Sequence, residues 1–213
     1  IRDSFDSGVQ LTPLGALRGD VFSTDMATQG LTYGSSIDDN AAFRGMATLG
    51  LEARYPILFT AQNSSHVIEP IAQVFLRPDE QFAGRLPNED SQAFVFDATN
   101  LFERDKFTGF DRVEGGTRAN LGFRYNGTFD NGYGIRAIAG QSFHLAGENS
   151  FASPDLVNAG ADSGLESDRS DYVTMAAIDA PIGLSFSNSL RLDKGNFEIN
   201  RMENSVHYAD NRF

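Results

Sequence analysis

Cysteine and tryptophan are both absent from these 213 residues, and histidine occurs only three times. Without thiols, neither a disulfide framework nor a thiolate metal site can form within the chain. No run approaches the roughly 18 uninterrupted apolar residues that mark a membrane-crossing helix, and mean hydropathy is −0.30, so a transmembrane helix is excluded. Barrel strands stay open, because they send only every second residue to lipid and so average out as polar. Basic residues are outnumbered: 17 Lys and Arg face 29 Asp and Glu, a net charge of −12, and no basic stripe exists to hold nucleic-acid phosphates. His66, His144 and His207 come without a GxSxG elbow, an HExxH helix or a phosphate-binding loop. Ser142 and His144 offer a rim hydrolase pair, but two residues apart on one strand they read better as structural neighbours. The expectation is a non-enzyme without cofactor or metal. The opening "IRDSFDSG" carries no initiator methionine or signal segment, so the chain is expected to be a section of a longer polypeptide.

What is abundant is glycine, phenylalanine and a period of two. In "FRGMATLGLEARYPILF", Phe43, Ala47, Leu49, Leu51 and Tyr55 share one face, while Arg44, Met46, Thr48, Glu52 and Arg54 share the other. The same alternation runs through "HVIEPIAQVFLRP", "TRANLGFRYN", "YGIRAIAGQSFHL" and "YVTMAAIDAPIGLSFSNSLRL", and more weakly through "VQLTPLGALRGDVF" and "FEINRMENSVHY". These seven segments predict strands, several of them as long as the about 9 to 11 residues that cross a bilayer obliquely.

Their connections alternate in length. Long loops over 23 to 42, 78 to 112 and 145 to 170 are separated by short turns at "AQNSS", "DNG" and "KGN", where Asn and Gly favour sharp reversal. The pattern predicts an all-β antiparallel transmembrane barrel fragment of about seven long strands, with short periplasmic turns and long extracellular loops. Residues 1 to 213 would belong to one barrel domain, with strands missing on both sides. The polar faces then place Arg44, Glu52, Arg54, Gln73, Arg118, Asn120, Arg124 and Arg136 toward a lumen, together with Glu69 and Arg77. A soluble antiparallel sheet is the bland alternative, since it too alternates.

Two long loops differ in character. Residues 78 to 112 interleave Phe94, Phe96, Leu101, Phe102, Phe107 and Phe110 with charges, more apolar bulk than a solvated loop requires, so this loop is expected to fold back onto the barrel. Its acids Glu89, Asp90, Asp97, Glu103, Asp105 and Asp111 lack calcium-loop spacing and are expected to pair with Arg104, Lys106 and Arg112. Asp111 and Arg112 would anchor the junction into the next strand by ion pairing, with Gly109, Gly115 and Gly116 allowing the turn. "DLVNAGADSGLESDRSD" reads as a solvated surface loop.

The ordered set His66, Glu69 and Pro70, then Asn88, Glu89 and Asp90, then Asn100, Leu101 and Phe102, then Phe107, Gly109, Asp111 and Arg112, then Gly140 and Gln141, resembles the barrel of the LPS-assembly (LptD, organic solvent tolerance) family. The match is strongest over 66 to 142, and corresponds to a middle section of the C-terminal barrel. The resemblance implies a translocon in the cell outer membrane of a Gram-negative bacterium that inserts lipopolysaccharide into the outer leaflet. It further implies an LptE-like plug lipoprotein in the lumen, contact with outer-membrane lipids, and a periplasmic bridge reached through an N-terminal domain that these residues do not contain. A diffusion porin or nutrient-uptake barrel is the alternative reading.

Overall fold

The computed structural model describes residues 3–4, 8–23, 42–83, 88–154 and 157–209. Among them ten strands and no helix are found: β1 (Asp3–Ser4), β2 (Gln10–Phe22), β3 (Ala42–Arg54), β4 (Ile57–Ala61), β5 (Ser64–Leu76), β6 (Thr117–Phe129), β7 (Gly134–Ala146), β8 (Tyr172–Asp179), β9 (Leu184–Leu192) and β10 (Ile199–Tyr208). All pair antiparallel, in the order β1-β2-β3-β5-β6-β7-β8-β9-β10, with β4 pairing β5 outside that path. The sheet is open, as a section of a barrel is. Five strands have 13 residues each, about 43 Å at roughly 3.3 Å per residue, well beyond the apolar band of about 25 Å that such a wall presents to lipid.

Two of the seven expected strands are each two. Pro56 brings no N–H to the ladder, and the Tyr55 N–H turns instead to the Pro70 carbonyl at 3.1 Å, so β3 and β4 separate there. "APIG" is a turn: the Ala180 N–H meets the Leu184 carbonyl at 2.7 Å, and Gly183 has a φ of 82°. That extra reversal changes the bookkeeping of ends, which alternation by itself cannot count. The expected place of "KGN" on the short-turn side is thereby corrected: it lies at the long-loop end, where the Arg169 side chain donates to the Lys194 carbonyl at 2.9 Å. The long-loop end therefore carries one short connection. The expected loop over 23 to 42 lies, from 24 to 41, outside the described residues.

Register fixes the faces, because directly opposed residues point the same way. Asp20 opposes Arg44, Glu52 opposes Gln73, Gln73 opposes Asn120, Asn120 opposes Ser142, and Glu69 opposes Arg124. On the other face Leu51 opposes Val74, Ala72 opposes Leu121, Ile178 opposes Phe186, and Phe186 opposes Val206. Burial is inverted relative to a soluble sheet: Leu17 is 89% exposed and Phe43 66%, while Arg44 and Asn120 are 0% exposed. A sheet that buries arginine and bares leucine is built for an apolar solvent outside.

Leu49→Arg, on the exposed apolar face near mid-strand, should cost about 2–4 kcal/mol if that face meets hydrocarbon, and should deplete the folded, heat-modifiable form on gels. Ser187→Arg, on the polar face, should leave that form near its normal level. Equal damage from both would contradict the assignment of faces.

Candidate functional site

The segment between β5 and β6 has almost no regular structure, so its backbone groups must find side-chain partners. Its amide and acid residues supply them. Asn88 and Ser91 exchange two hydrogen bonds at 2.9 Å, the Asp90 carboxylate accepts from the Phe110 and Asp111 N–H groups, and the Asp111 carboxylate accepts in return from the Glu89 and Asp90 N–H groups. Asn100 accepts from the Asp97 N–H and donates to the Val95 carbonyl at 2.9 Å. Gly109 has a φ of 68°, and a Cβ there would fall 2.4 Å from the Asp90 carboxylate, so the lock tolerates no side chain. The Phe110 N–H bond, foremost, holds the Asp90 carboxyl below the usual range. The expected ion pairing of these acids is thus corrected: Asp90, Asp97 and Asp111 bind backbone N–H groups. Glu89 is exposed, and its backbone N–H is what the lock uses.

The loop folds onto the polar face, as expected. Phe96, Leu101 and Phe107 are buried with Phe151, Ala159, Leu165 and Val173, and the Phe107 and Phe151 rings stack at 4.6 Å. Phe102 is half-buried, with the Arg124 guanidinium over its ring at 5.2 Å, whereas Phe94 and Phe110 stay exposed. Phe151, Ala159 and Leu165 come from the third loop, which is therefore not the solvated segment its composition suggested. Its few apolar residues are spaced among Asp, Ser and Gly, which hid their convergence. Leu101 is seated where the paired glycines Gly122 and Gly140 leave room: a Cβ on Gly140 would lie 2.5 Å from Leu101 Cδ2 and 2.3 Å from the Leu121 carbonyl oxygen.

Beneath this apolar cluster sits a buried charge cluster. Glu114 accepts from Arg118 Nε at 2.6 Å, pairs with Arg77 at 3.1 Å, and accepts from the Lys106 N–H at 3.3 Å. Burial pushes the Lys106 ammonium down to about 8, although Glu114 pulls the other way. Burial alone would raise the Glu114 carboxyl, but Lys106, Arg77 and Arg118 outweigh it and hold the group below its ordinary value. Asp105 is raised, by burial first and by Glu114 second. Arg112 does anchor the junction by ion pairing, bidentate on Glu80 at 2.8 and 2.9 Å, with the Ser150 carbonyl at 2.7 Å. Asp111 does not share that role. Gly116 has the left-handed φ of 73°; Gly115 does not, but a Cβ on it would lie 2.4 Å from the Glu80 nitrogen.

The expected inward residues share this face and divide into two groups. Arg44 reaches the loop, donating to Asp20 and to the Phe110 and Asp111 carbonyls, and Gln73 donates to Glu52 and to the Phe102 carbonyl. Asn120 donates to Gln73 at 3.0 Å and accepts from Ser142 at 2.8 Å. Arg54 pairs with Glu52 at 2.6 Å and with Glu69 at 3.3 Å, and Arg136 with Asp179 at 2.9 Å, both outside the cluster of loop contacts. His66, Pro70 and Gln141 lie instead on the apolar face, opposite Gly127, Phe123 and Leu121. His66 bonds the Tyr125 hydroxyl at 2.8 Å and Ser64 at 2.9 Å. Ser142 and His144 share a face but not a hydrogen bond: the His144 Nε2 donates to the Gly147 carbonyl, and its Nδ1 is buried without a partner. Sequence reading misses Glu80, Glu114, Gly122 and Phe151. Glu114 stands four residues before Arg118, the one local hint available.

A protein-family model described as LptD, LPS transport system D, matches residues 3–213. No curated protein matches the chain.

Glu114→Gln strips the shared carboxylate from three buried cations and should destabilise the docked loops by about 3–5 kcal/mol, read as new protease cleavage between 88 and 116 in the assembled protein. Asp105→Asn removes a charge that burial disfavours and should leave the loops as resistant as before, or more so. Because Lys106 binds its proton less well folded than unfolded, protection should rise with pH from about 8 toward 10.5, a rise that Lys106→Met abolishes. The Glu114 contribution should fade as pH drops below its ordinary 4.5. Gly140→Val should expel Leu101 and expose the same segment, whereas Ala139→Val, pointing to the opposite face, should not.

Proposed function

Because this chain belongs to the LptD family, whose role is LPS transport at the outer membrane, we propose that it forms a section of the wall of a barrel that passes lipopolysaccharide into the outer leaflet. The observation that carries the reading is the inverted sheet: an exposed apolar face for lipid, and a polar face on which two long loops are packed. In this reading residues 1 to 213 are part of a single barrel domain, and Arg44, Glu52, Arg54, Gln73, Arg118, Asn120, Arg124 and Arg136 face the lumen.

The work asked of such a wall is passive. Sugars moving along it exchange hydrogen bonds with water for hydrogen bonds with side chains, and the Glu52, Arg54, Glu69 and Arg124 group offers both donors and acceptors. Its two carboxylates and two guanidinium groups balance in charge, so a phosphorylated sugar meets little net field to trap it. Acyl chains remain with the apolar side. The docked loops close the long-loop end above this surface, and an LptE-like lipoprotein would occupy the lumen below them, supplied through a periplasmic bridge. No bond is made or broken in this scheme, and Ser142 and His144 serve packing.

Depletion of the protein in its Gram-negative host should stop newly made lipopolysaccharide from reaching the cell surface while other outer-membrane barrels still assemble. Unchanged arrival would overturn the transport reading, and open conductance for small solutes in the reconstituted protein would then favour a porin.

A further inference from the structure

The apolar face carries a groove of about 640 Å³ lined by Ile68, Pro70, Leu121, Phe123, Gln141, Phe143 and Tyr172, with the backbones of Gly122 and Gly140 also in its lining. Every side chain named belongs to the same face by register: Pro70 opposes Phe123, Leu121 opposes Gln141, and Ile68 opposes Tyr125. The two glycines, which on the polar face admit Leu101, add no side chain on either side of the sheet. Their missing side chains would point to the polar face, so the glycines make the seat for Leu101, while the depression on the apolar face is shaped by the side chains around it.

Three features of the groove bear on what fills it. It lies on the face whose leucines and phenylalanines are bare, so its surroundings are hydrocarbon in the reading above. It runs from mid-sheet, at Ile68 and Pro70 of β5 and Phe123 of β6, to the long-loop end, at Phe143 near the end of β7 and Tyr172, the first residue of β8. And one amide is built into it: Gln141 is only 6% exposed, with its Nε2 donating to the Ser170 carbonyl at 2.7 Å. That bond uses one of the two amide N–H groups; the rest of the Gln141 amide and the Tyr172 hydroxyl are the polar side-chain groups of an otherwise apolar lining. A lipid-facing strand does not ordinarily carry a buried glutamine; here the bond to Ser170 gives one of its N–H groups a partner.

We propose that this groove holds an acyl chain of lipopolysaccharide in the outer leaflet, on the outside of the barrel wall. The inference rests on the transport reading for the identity of the lipid, and on the groove itself for the existence of a seat. Its volume is in the range of small-molecule sites, its apolar walls suit a hydrocarbon chain, and the Gln141 oxygen can accept from a hydroxyl borne on that chain. The seat would retain lipid beside the wall after release, or during its spread from the barrel.

The test uses a photo-reactive benzophenone residue placed singly at Phe143, at Ile68, and at Leu17, an exposed apolar position away from the groove, in the full protein in living cells. Lipopolysaccharide adducts at Phe143 and Ile68 should exceed those at Leu17 severalfold, and Leu121→Phe, which adds bulk to the groove without adding a polar atom, should bring them down toward the Leu17 level. Adducts no stronger than at Leu17, or phospholipid adducts in their place, would overturn the proposal. The two readings fail separately: surface arrival that depends on the protein alongside uniform adducts removes the groove alone, while arrival independent of the protein removes the transport reading.

Discussion

Three buried cations share one carboxylate. Glu114 stands where the long loop enters β6, and Arg77, Lys106 and Arg118 approach it from the end of β5, from the loop itself and from β6. Each charge alone would be prohibitively placed, since an isolated ion in a dry interior costs several kcal/mol even after relaxation. Together they make the descent into β6 depend on the loop being docked. The Arg112 and Glu80 pair repeats the arrangement one step away, and the apolar cluster of Phe96, Leu101, Phe107 and Phe151 shields both from water. Stacking of the Arg112 and Arg118 guanidinium groups over Phe107 and Phe151 joins the two layers.

The rest of the polar face follows from that closure. With the loops in place, Asn120, Ser142 and Gln73 are sealed from solvent and must satisfy one another, which they do in a chain of hydrogen bonds running from β7 through β6 and β5 to Glu52 on β3. Away from the loops, Arg54, Glu52, Glu69, Arg136 and Asp179 are only half-buried or exposed, and water shares the task. One surface therefore has two regimes: a dry part whose residues hold the loops, and a part whose charged groups remain open to solvent. Residues that look alike in sequence, Arg44 and Arg136 for instance, differ in role because one lies under the loops and the other does not.

The face toward lipid is simpler, and its exceptions are informative. His66, Gln141 and the Asn188 and Asn204 pair are the polar interruptions whose hydrogen bonds are resolved, and each has a partner close at hand: Tyr125 and Ser64, Ser170, or the opposing asparagine at 2.9 Å. Hydrocarbon offers no hydrogen bond, so a polar group there must bring its own.

Alternation alone determined the strand class, the two faces and the polar set from Arg44 to Arg136 that shares one of them, because a period of two is a property of the extended backbone and needs no tertiary context. Composition also foretold that the 78 to 112 loop folds back, since Phe96, Leu101 and Phe107 are too apolar to be left in water. Tertiary structure alone decided which acid meets which base. Glu80 and Arg112 are 32 residues apart, Asp90 and Asp111 serve backbone N–H groups rather than cations, and Glu114 gathers partners from three segments. It also decided that Gly122 and Gly140 stand side by side to receive Leu101, and that "APIG" turns and so moves "KGN" to the opposite end. Such pairings are set by how distant segments close over one another, and charge in a sequence says that a partner is needed without saying where the chain will bring one.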